Sequence, residues 1–256
     1  MPVSADMYYY EYDGEETSRP PIVLIHGAGG THLHWPASIR RLSGYRVYAL
    51  DLPGHGKSGG CGKQSVDAYA HSILNWMQTL GLPHAVFVGH SMGGAIALRL
   101  SILSPKCVLG IALVGSGARL RVAPAILENT ALAATFPAAV ETIIKWAFSP
   151  ETDPKLVELA AKQMAETRPT VLHGDFLACD AFDETESLSK IRTPALAICG
   201  QDDRLTPPRY SQYLADHIPG AELNIISAAG HLVMLEKPKY VANILVGFLN
   251  QIPFSW

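Results

Sequence analysis

Short apolar runs, each bounded by glycine or other turn-forming residues, recur along the chain and define its predicted strands. Runs such as 22–26 and 85–88 show no polar alternation, which is typical of strands buried on both faces of a sheet. The predicted strands are 7–12, 22–26, 46–50, 85–88, 109–114, 195–199 and 222–226. The predicted helices, marked by apolar residues at helical spacing, are 65–80, 92–104, 210–217 and 238–249. Because strands alternate with helices, we predict an α/β fold with a mostly parallel sheet flanked by helices.

Residues 118–189 break this alternation, because they show helical patterning rich in Ala, Leu and Ile but no convincing strand. Five prolines divide the segment into short helices: Pro124, Pro137, Pro150, Pro154 and Pro169. The segment lies between two predicted strands, so the chain must leave the sheet and return to it. We predict a core of residues 1–117 and 190–256. Inserted before strand 195–199, a helical cap of residues 118–189 would cover the carboxyl edge of the sheet, where sites form in such folds.

The size and charge of the chain exclude several classes of protein. Its 256 residues suffice for one large α/β domain with an insertion. The net charge is −3 and no basic stripe is visible, so we expect no nucleic-acid partner. No apolar run approaches the ~18 residues of a membrane span, so we expect no membrane association. The start of the chain lacks the basic residues and apolar segment of a signal peptide, which favours a cytoplasmic location. The sequence leaves the oligomeric state open.

Cysteine and histidine are not arranged as metal ligands. The four cysteines, Cys61, Cys107, Cys179 and Cys199, are scattered along the chain, and we expect neither a structural disulfide nor a metal site. We interpret His26 and His55 as structural residues that hold loops by hydrogen bonds. An acidic stretch is interpreted as solvated cap surface: Asp175, Asp180, Asp183, Glu184 and Glu186.

The chemistry of the chain is indicated by the motif Gly-x-Ser-x-Gly at 89–93, between strand 85–88 and helix 92–104. This arrangement places Ser91 on a sharp turn at the carboxyl edge of a parallel sheet, with its hydroxyl exposed. The flanking glycines allow the strand and the helix to approach closely. The start of the helix presents unpaired backbone N–H groups where negative charge would develop. We therefore predict that Ser91 is the nucleophile of a hydrolase.

A serine hydroxyl needs a base to take its proton, and the base needs an orienting acid. Two aspartates, Asp202 and Asp203, follow strand 195–199, and His231 follows strand 222–226. Groups just past the carboxyl ends of parallel strands are placed to converge on Ser91. The order nucleophile, acid, histidine is the one expected after such a turn.

The chain resembles the α/β-hydrolase superfamily over nearly its whole length. The resemblance is carried by the turn His26-Gly27-Ala28-Gly29, the serine turn, the acid loop 200–207 and the late Gly230-His231. Members with this acid loop usually place the acid three residues after its glycine and four before its proline, which selects Asp203 over Asp202. Some members carry the acid after the strand before the cap, but 114–117 contains no carboxylate.

The resemblance also implies the roles of the site residues. Ser91 would be the nucleophile, His231 the general base and then acid, and Asp203 the group that orients His231. Backbone N–H groups of Ala28 and Met92 would form the oxyanion hole. No cofactor or metal is implied. For the substrate pocket we predict Phe136, Trp146 and Phe148 of the cap, together with Leu232.

The first functional hypothesis is a carboxylesterase that cleaves small to medium acyl esters through an acyl-enzyme. A second is a carbon–carbon bond hydrolase of the meta-cleavage type. Such enzymes usually carry a tryptophan shortly after the catalytic histidine and an arginine in the cap. Here no tryptophan follows His231, and Arg168 is the candidate arginine. A third hypothesis is a small-ligand receptor built on the same fold.

Overall fold

The predicted parallel sheet forms the centre of the molecule. The computed structural model describes residues 3–14 and 19–253, in which eight strands form one sheet. The strands are β1 (Val3–Ser4), β2 (Met7–Asp13), β3 (Ile22–Ile25), β4 (Arg46–Leu50), β5 (Ala85–His90), β6 (Val108–Val114), β7 (Ala195–Gly200) and β8 (Glu222–Ile226). Their order is β1-β2-β4-β3-β5-β6-β7-β8, with β3 to β8 parallel and β1 and β2 antiparallel at one edge. The predicted α/β fold is thus confirmed, and β1 is the strand that the sequence did not predict.

Ten α-helices lie in the described residues, and the four that were predicted with bounds begin and end within two residues of them. The ten helices are α1 (Ala37–Arg40), α2 (Val66–Leu80), α3 (Met92–Leu103), α4 (Pro124–Ala131), α5 (Phe136–Ala147), α6 (Pro154–Ala165), α7 (Pro169–Ala181), α8 (Pro208–His217), α9 (Val233–Glu236) and α10 (Pro238–Leu249). Helix α2 begins where the Ser65 side chain accepts a hydrogen bond from the Ala68 N–H, and it ends at Gly81 with φ 64°. Within the described ranges, no helix is long and apolar enough to cross a lipid bilayer.

Each central strand divides its apolar side chains between two hydrophobic clusters. In β3, Ile22 and Leu24 pack into one cluster, and Val23 and Ile25 pack into the other. Successive side chains of a strand point to opposite faces, so a sheet covered on both faces requires an unbroken apolar run. All four side chains are fully buried, and burial of each contributes about 1.5–3 kcal/mol.

The segment between β6 and β7 contains the four helices α4 to α7. Each of them carries a proline in its first turn: Pro124, Pro137, Pro154 and Pro169. Proline suits this position because its missing N–H would have no helical partner there. These helices occupy the segment 118–189 that we interpret as the cap. The predicted core also includes residues 1–2, 15–18 and 254–256, which lie outside the described residues. Residues 1–2 belong to the chain start on which the signal-peptide prediction rests.

The Glu236 carboxylate at the end of α9 forms one set of hydrogen bonds between cap and core. Its Oε1 accepts a hydrogen bond from the Gly230 N–H at 2.8 Å, directly before His231. Its Oε2 accepts hydrogen bonds from the Ser149 N–H at 3.0 Å and from the Thr152 hydroxyl, both in the loop after α5. The loop that carries His231 is therefore fixed to the cap.

Asp175 of α7, which is fully buried, forms a second set of hydrogen bonds between cap and core. Its Oδ2 accepts hydrogen bonds from the Gly29 N–H at 2.8 Å and from His55 Nε2 at 2.8 Å. Its Oδ1 accepts a hydrogen bond from the Tyr69 hydroxyl at 2.5 Å. The interpretation of Asp175 as solvated cap surface is therefore wrong. Helix α7 turns this carboxylate toward the core, whereas Glu186 of the same acidic stretch is exposed.

Replacing the buried Asp175 carboxylate tests its contact with His55. Asp175→Asn should lower the free energy of unfolding by about 3 kcal/mol, because it leaves the other partner of a buried ion pair without its counter-charge. Burial alone would lower the pKa of His55, but the Asp175 charge holds it above its usual value. The pair therefore stabilises the fold fully below the unfolded pKa of about 6.5, and this contribution is lost as pH rises through the folded pKa.

Denaturant unfolding at about pH 5.5 and about pH 9 should show the larger penalty at the lower pH. Glu186→Gln is the matched control, because it removes an exposed carboxylate from the same stretch; it should change stability by less than about 0.5 kcal/mol. An Asp175→Asn penalty of equal size at both values would show that His55 is not paired as an ion.

Candidate active site

Ser91 lies on the turn between β5 and α3 in a conformation that most residues avoid. Its φ and ψ angles are 53° and −116°, and a non-glycine residue held in so sparsely populated a region costs about 1–3 kcal/mol. Two hydrogen bonds hold it there. The Ser91 N–H donates to the Val114 carbonyl at 2.9 Å, and the Ser116 hydroxyl donates to the Ser91 carbonyl at 2.8 Å. The end of β6 therefore supports the strained turn.

The glycines of the motif are required by close backbone approach. A Cβ atom on Gly89 would overlap the Gly93 carbonyl, and one on Gly93 would overlap the Ile25 carbonyl at the end of β3. Neither carbonyl can move without displacing a strand or a helix. Small residues at 89 and 93 thus let α3 start directly beside β3 and β5, with the Met92 N–H at its first position and without a partner inside the helix.

The histidine and one of the two candidate acids are in direct contact. His231 Nδ1 lies 2.9 Å from Asp203 Oδ2, and the two residues are 5% and 3% exposed. Asp203 Oδ1 accepts hydrogen bonds from the N–H groups of Leu205 at 2.9 Å and Thr206 at 2.8 Å. Asp202 points elsewhere, because its Oδ2 accepts a hydrogen bond from the Ser149 hydroxyl at 2.6 Å. The structure therefore brings His231 to Asp203, as the resemblance implied.

Thr206 is a further residue at this contact that sequence reasoning did not single out. Its Oγ1 lies 2.8 Å from both the Gly115 carbonyl and Asp203 Oδ2, and 3.1 Å from His231 Nδ1. One hydroxyl proton can serve only one of these acceptors at a time. The Thr206 hydroxyl therefore lies against the Asp203 carboxylate and joins it to the end of β6.

The backbone of His231 is held from two sides. Its N–H donates to the Ala147 carbonyl at the end of α5 at 2.8 Å. Its carbonyl lies 3.0 Å from His90 Nε2. Burial, with His231 nearby, lowers the pKa of His90 well below its usual value, so His90 is neutral and donates through Nε2–H. His90 thus packs beside the turn, and both cap and core hold the backbone of His231.

Hydrogen bonds from both the cap and the core hold the turn that contains Ala28. The Gly29 N–H donates to Asp175, and the Gly29 carbonyl accepts a hydrogen bond from the Thr167 hydroxyl at 3.0 Å. His26 Nδ1 lies 2.7 Å from the Gly27 carbonyl and its Nε2 accepts the Leu52 N–H at 3.0 Å. Ala28 faces the cavity that also contains Ser91.

That cavity has a volume of about 350 Å³ and lies between the core and the cap. Ser91, His231 and Ala28 line it from the core side. Most other lining residues are apolar: Leu120, Val122, Ala123, Ile126, Ile143, Ile144, Trp146, Ala147, Ala160, Met164, Phe176, Leu205, Leu232 and Leu235. A cavity of this size and character is typical of a small-molecule site.

The four predicted pocket residues separate into two pairs. Trp146 and Leu232 line the cavity. Phe136 and Phe148 do not, and both pack into a hydrophobic cluster with 6% of their surface exposed. For these two residues, at the start of α5 and just after its end, the pocket prediction is wrong, because they pack into that cluster instead of lining the cavity.

His34 also lines the cavity, although no motif in the sequence indicated it. Burial, with His55 nearby, lowers its pKa to about 4. The ring is therefore neutral near pH 7, and it can offer a substrate a hydrogen bond but no charge. In residues 3–14 and 19–253, no group of three or more His, Cys, Asp or Glu side chains is arranged to hold a metal ion.

Comparison with known proteins finds the same likeness over nearly the whole chain. A protein-family model described as alpha/beta hydrolase fold matches residues 20–238. A relative named carbamate hydrolase RutD from Stutzerimonas stutzeri (strain A1501) is 28% identical over 95% of this chain and 97% of the relative. The relative named 3-oxoadipate enol-lactonase 1 from Acinetobacter baylyi is 29% identical over 94% of this chain and 92% of the relative. A solved structure described as a thermophilic esterase is 33% identical, with a TM-score of 0.81, over 97% of this chain and 100% of the other. The chain therefore belongs to the family of hydrolases with the α/β-hydrolase fold.

Proposed function

We propose that the protein is a serine hydrolase that cleaves carboxylic esters of small to medium acyl size through an acyl-enzyme. The observation that carries this proposal is the convergence on one cavity of a strained, accessible serine and a histidine held by a buried aspartate. A nucleophile, its base and an orienting acid are the groups that acyl transfer requires.

In the proposed reaction the Ser91 hydroxyl attacks the acyl carbon, and His231 takes its proton. Asp203 holds Nδ1 of His231, which leaves Nε2 for the serine and the leaving group. The negative charge that develops on the carbonyl oxygen would be stabilised by the N–H groups of Ala28 and Met92, each contributing about 3 kcal/mol in the transition state.

Collapse of this intermediate breaks the ester C–O bond, and His231 gives its proton to the departing alcohol. Water then attacks the acyl carbon, with His231 again as base, and releases the carboxylic acid and free Ser91. One ester and one water give one acid and one alcohol, and no cofactor takes part.

The comparisons support this choice of bond. The relatives at 28% and 29% identity are named for hydrolysis of a carbamate and of an enol-lactone. The structure at 33% identity is described as an esterase. All three names concern an acyl carbon bound to a heteroatom, and a lactone is a cyclic ester.

The carbon–carbon hydrolase hypothesis finds less support. Arg168, the cap arginine available for a substrate carboxylate, donates to the carbonyls of Gly54 at 2.8 Å and Gly60 at 3.0 Å. It does not line the cavity that contains Ser91. Its guanidinium instead fastens the cap to the loop that follows β4.

Hydrolysis of p-nitrophenyl esters from acetate to palmitate tests the proposal. Turnover should peak at short chains, because a cavity of about 350 Å³ cannot enclose a long acyl group. Ser91→Ala should lower kcat by about ten thousandfold or more. Ser101→Ala is the control, since this buried serine of α3 donates to the Leu98 carbonyl of its own helix, and it should retain turnover. Saturable ester binding with negligible turnover would contradict an enzyme and favour the receptor hypothesis.

The two neighbouring aspartates provide a second test. Asp203→Asn should lower kcat by about 10⁴-fold, because an amide N–H facing Nδ1 stabilises the wrong tautomer of His231. Asp202→Asn should change kcat by less than about threefold, because its contact is with Ser149 and not with the histidine. Equal losses in the two variants, measured at saturating ester, would exclude Asp203 as the orienting acid.

A further inference from the structure

The charged residues of the cavity all have the same sign. Arg121, Arg204 and Arg209 line it, and none of its described lining residues is Asp or Glu. The chain as a whole carries a net charge of −3, so this bias is local. A cleft lined by one sign of charge with apolar walls concentrates ligands of the opposite sign.

Arg121 already has hydrogen-bond and ion-pair partners within the cap. It donates to the Asp180 carbonyl, and it lies 3.8 Å from the Asp183 carboxylate. A second arginine outside the lining, Arg119, pairs with the same carboxylate at 3.3 Å. Arg121 is therefore partly neutralised and contributes least to the field inside the cavity.

Arg204 and Arg209 have no such partner. Both are exposed, and within residues 3–14 and 19–253 no carboxylate lies within ion-pair distance of either guanidinium. Arg209 lies over the ring of its neighbour Tyr210, 5.4 Å from the centroid. Glu158 shares a neighbouring surface groove with Arg204 but forms no ion pair with it. Two positive charges at this cavity are thus uncompensated.

The position of Arg209 adds to this imbalance. It lies in the first turn of α8, where the helix dipole is positive and no acidic residue is present. A cation is unfavourable there, and an anion is favourable. A negatively charged ligand group near Arg209 would relieve both the side chain and the helix end.

We propose that the cavity takes esters that carry a carboxylate, with the carboxylate held by Arg204 and Arg209 while the ester lies at Ser91. Arg204 lies in the loop between β7 and α8 that also carries Asp203, and Arg209 follows in the first turn of α8. The cavity that contains Ser91 and both arginines has mostly apolar walls, which suit a hydrocarbon link between the ester and the carboxylate. The inference rests on the proposed ester hydrolysis; the carboxylate binds and does not react.

Matched ester pairs test the inference. Phenyl acetate and p-acetoxybenzoate differ by a carboxylate on the alcohol side, and p-nitrophenyl pentanoate and p-nitrophenyl hemiglutarate by one on the acid side. At least one charged ester should have the higher kcat/KM, and the preferred pair identifies the side on which the carboxylate binds. The preference should fall as salt is raised, because exposed charges are screened.

Arg204→Gln and Arg209→Gln should each lower the ratio of charged to neutral kcat/KM by up to about fivefold, the upper range for an exposed charge pair. The double variant should lower it by about tenfold or more. The double lysine variant should retain most of the ratio, because both charges remain. Arg192→Gln removes the same charge from an exposed arginine outside the lining, and it should leave the ratio within about twofold of the wild type.

Two results would overturn the inference: no preference for either charged ester in the wild type, or a ratio unchanged in the double glutamine variant. Both leave ester hydrolysis intact if Ser91→Ala still abolishes turnover. If no ester is turned over, the proposed function fails separately. Calorimetric titration with acetophenone and p-acetylbenzoate, ketones that cannot be hydrolysed, then decides the subsite. Tighter binding of the carboxylate that is lost in the double glutamine variant supports it, and equal binding of the two ketones overturns it.

Discussion

The site depends on one backbone constraint, the positive φ of Ser91 between β5 and α3. This conformation lifts the serine above the edge of the sheet and points the first N–H groups of α3 at the same space. It persists only because Gly89 and Gly93 admit neighbouring carbonyls where a Cβ would overlap them, and because the end of β6 accepts the Ser91 N–H. The strand order therefore places this strained residue at the point of the proposed chemistry.

Two carboxylates, the fully buried Asp175 and the partly buried Glu236, link this core to the cap. Asp175 bonds the turn that contains Ala28, and Glu236 bonds both the loop before His231 and the loop after α5. Each carboxylate is satisfied by several donors, which is the condition under which burial of a charge is tolerated. A displaced cap would therefore disturb the proposed oxyanion turn and the histidine loop as well as the cavity wall. The cap shapes the pocket and also positions groups that belong to the core.

Much of this could be predicted from sequence, since apolar runs, prolines and the serine motif act locally. The strands 46–50 and 222–226 and the proline-led cap helices depend on neighbours a few residues away. The direction in which a cap side chain points depends instead on how the cap docks. Asp175 bonds Gly29 across 146 positions of sequence, and no local pattern separates it from the exposed Glu186. The pocket prediction for Phe136 and Phe148 failed because their orientation also depends on how the cap docks. No local pattern around Arg204 and Arg209 indicated that they line the cavity.

We propose above all that the fold makes Ser91 an activated nucleophile. Peptide mass spectrometry after treatment with a fluorophosphonate tests it most directly, because the hydroxyl must displace fluoride to form an adduct. We expect a single adduct on the peptide that contains Ser91, absent in Ser91→Ala and formed far more slowly in Asp203→Asn. An unlabelled wild-type protein, or a label on another residue, would contradict it.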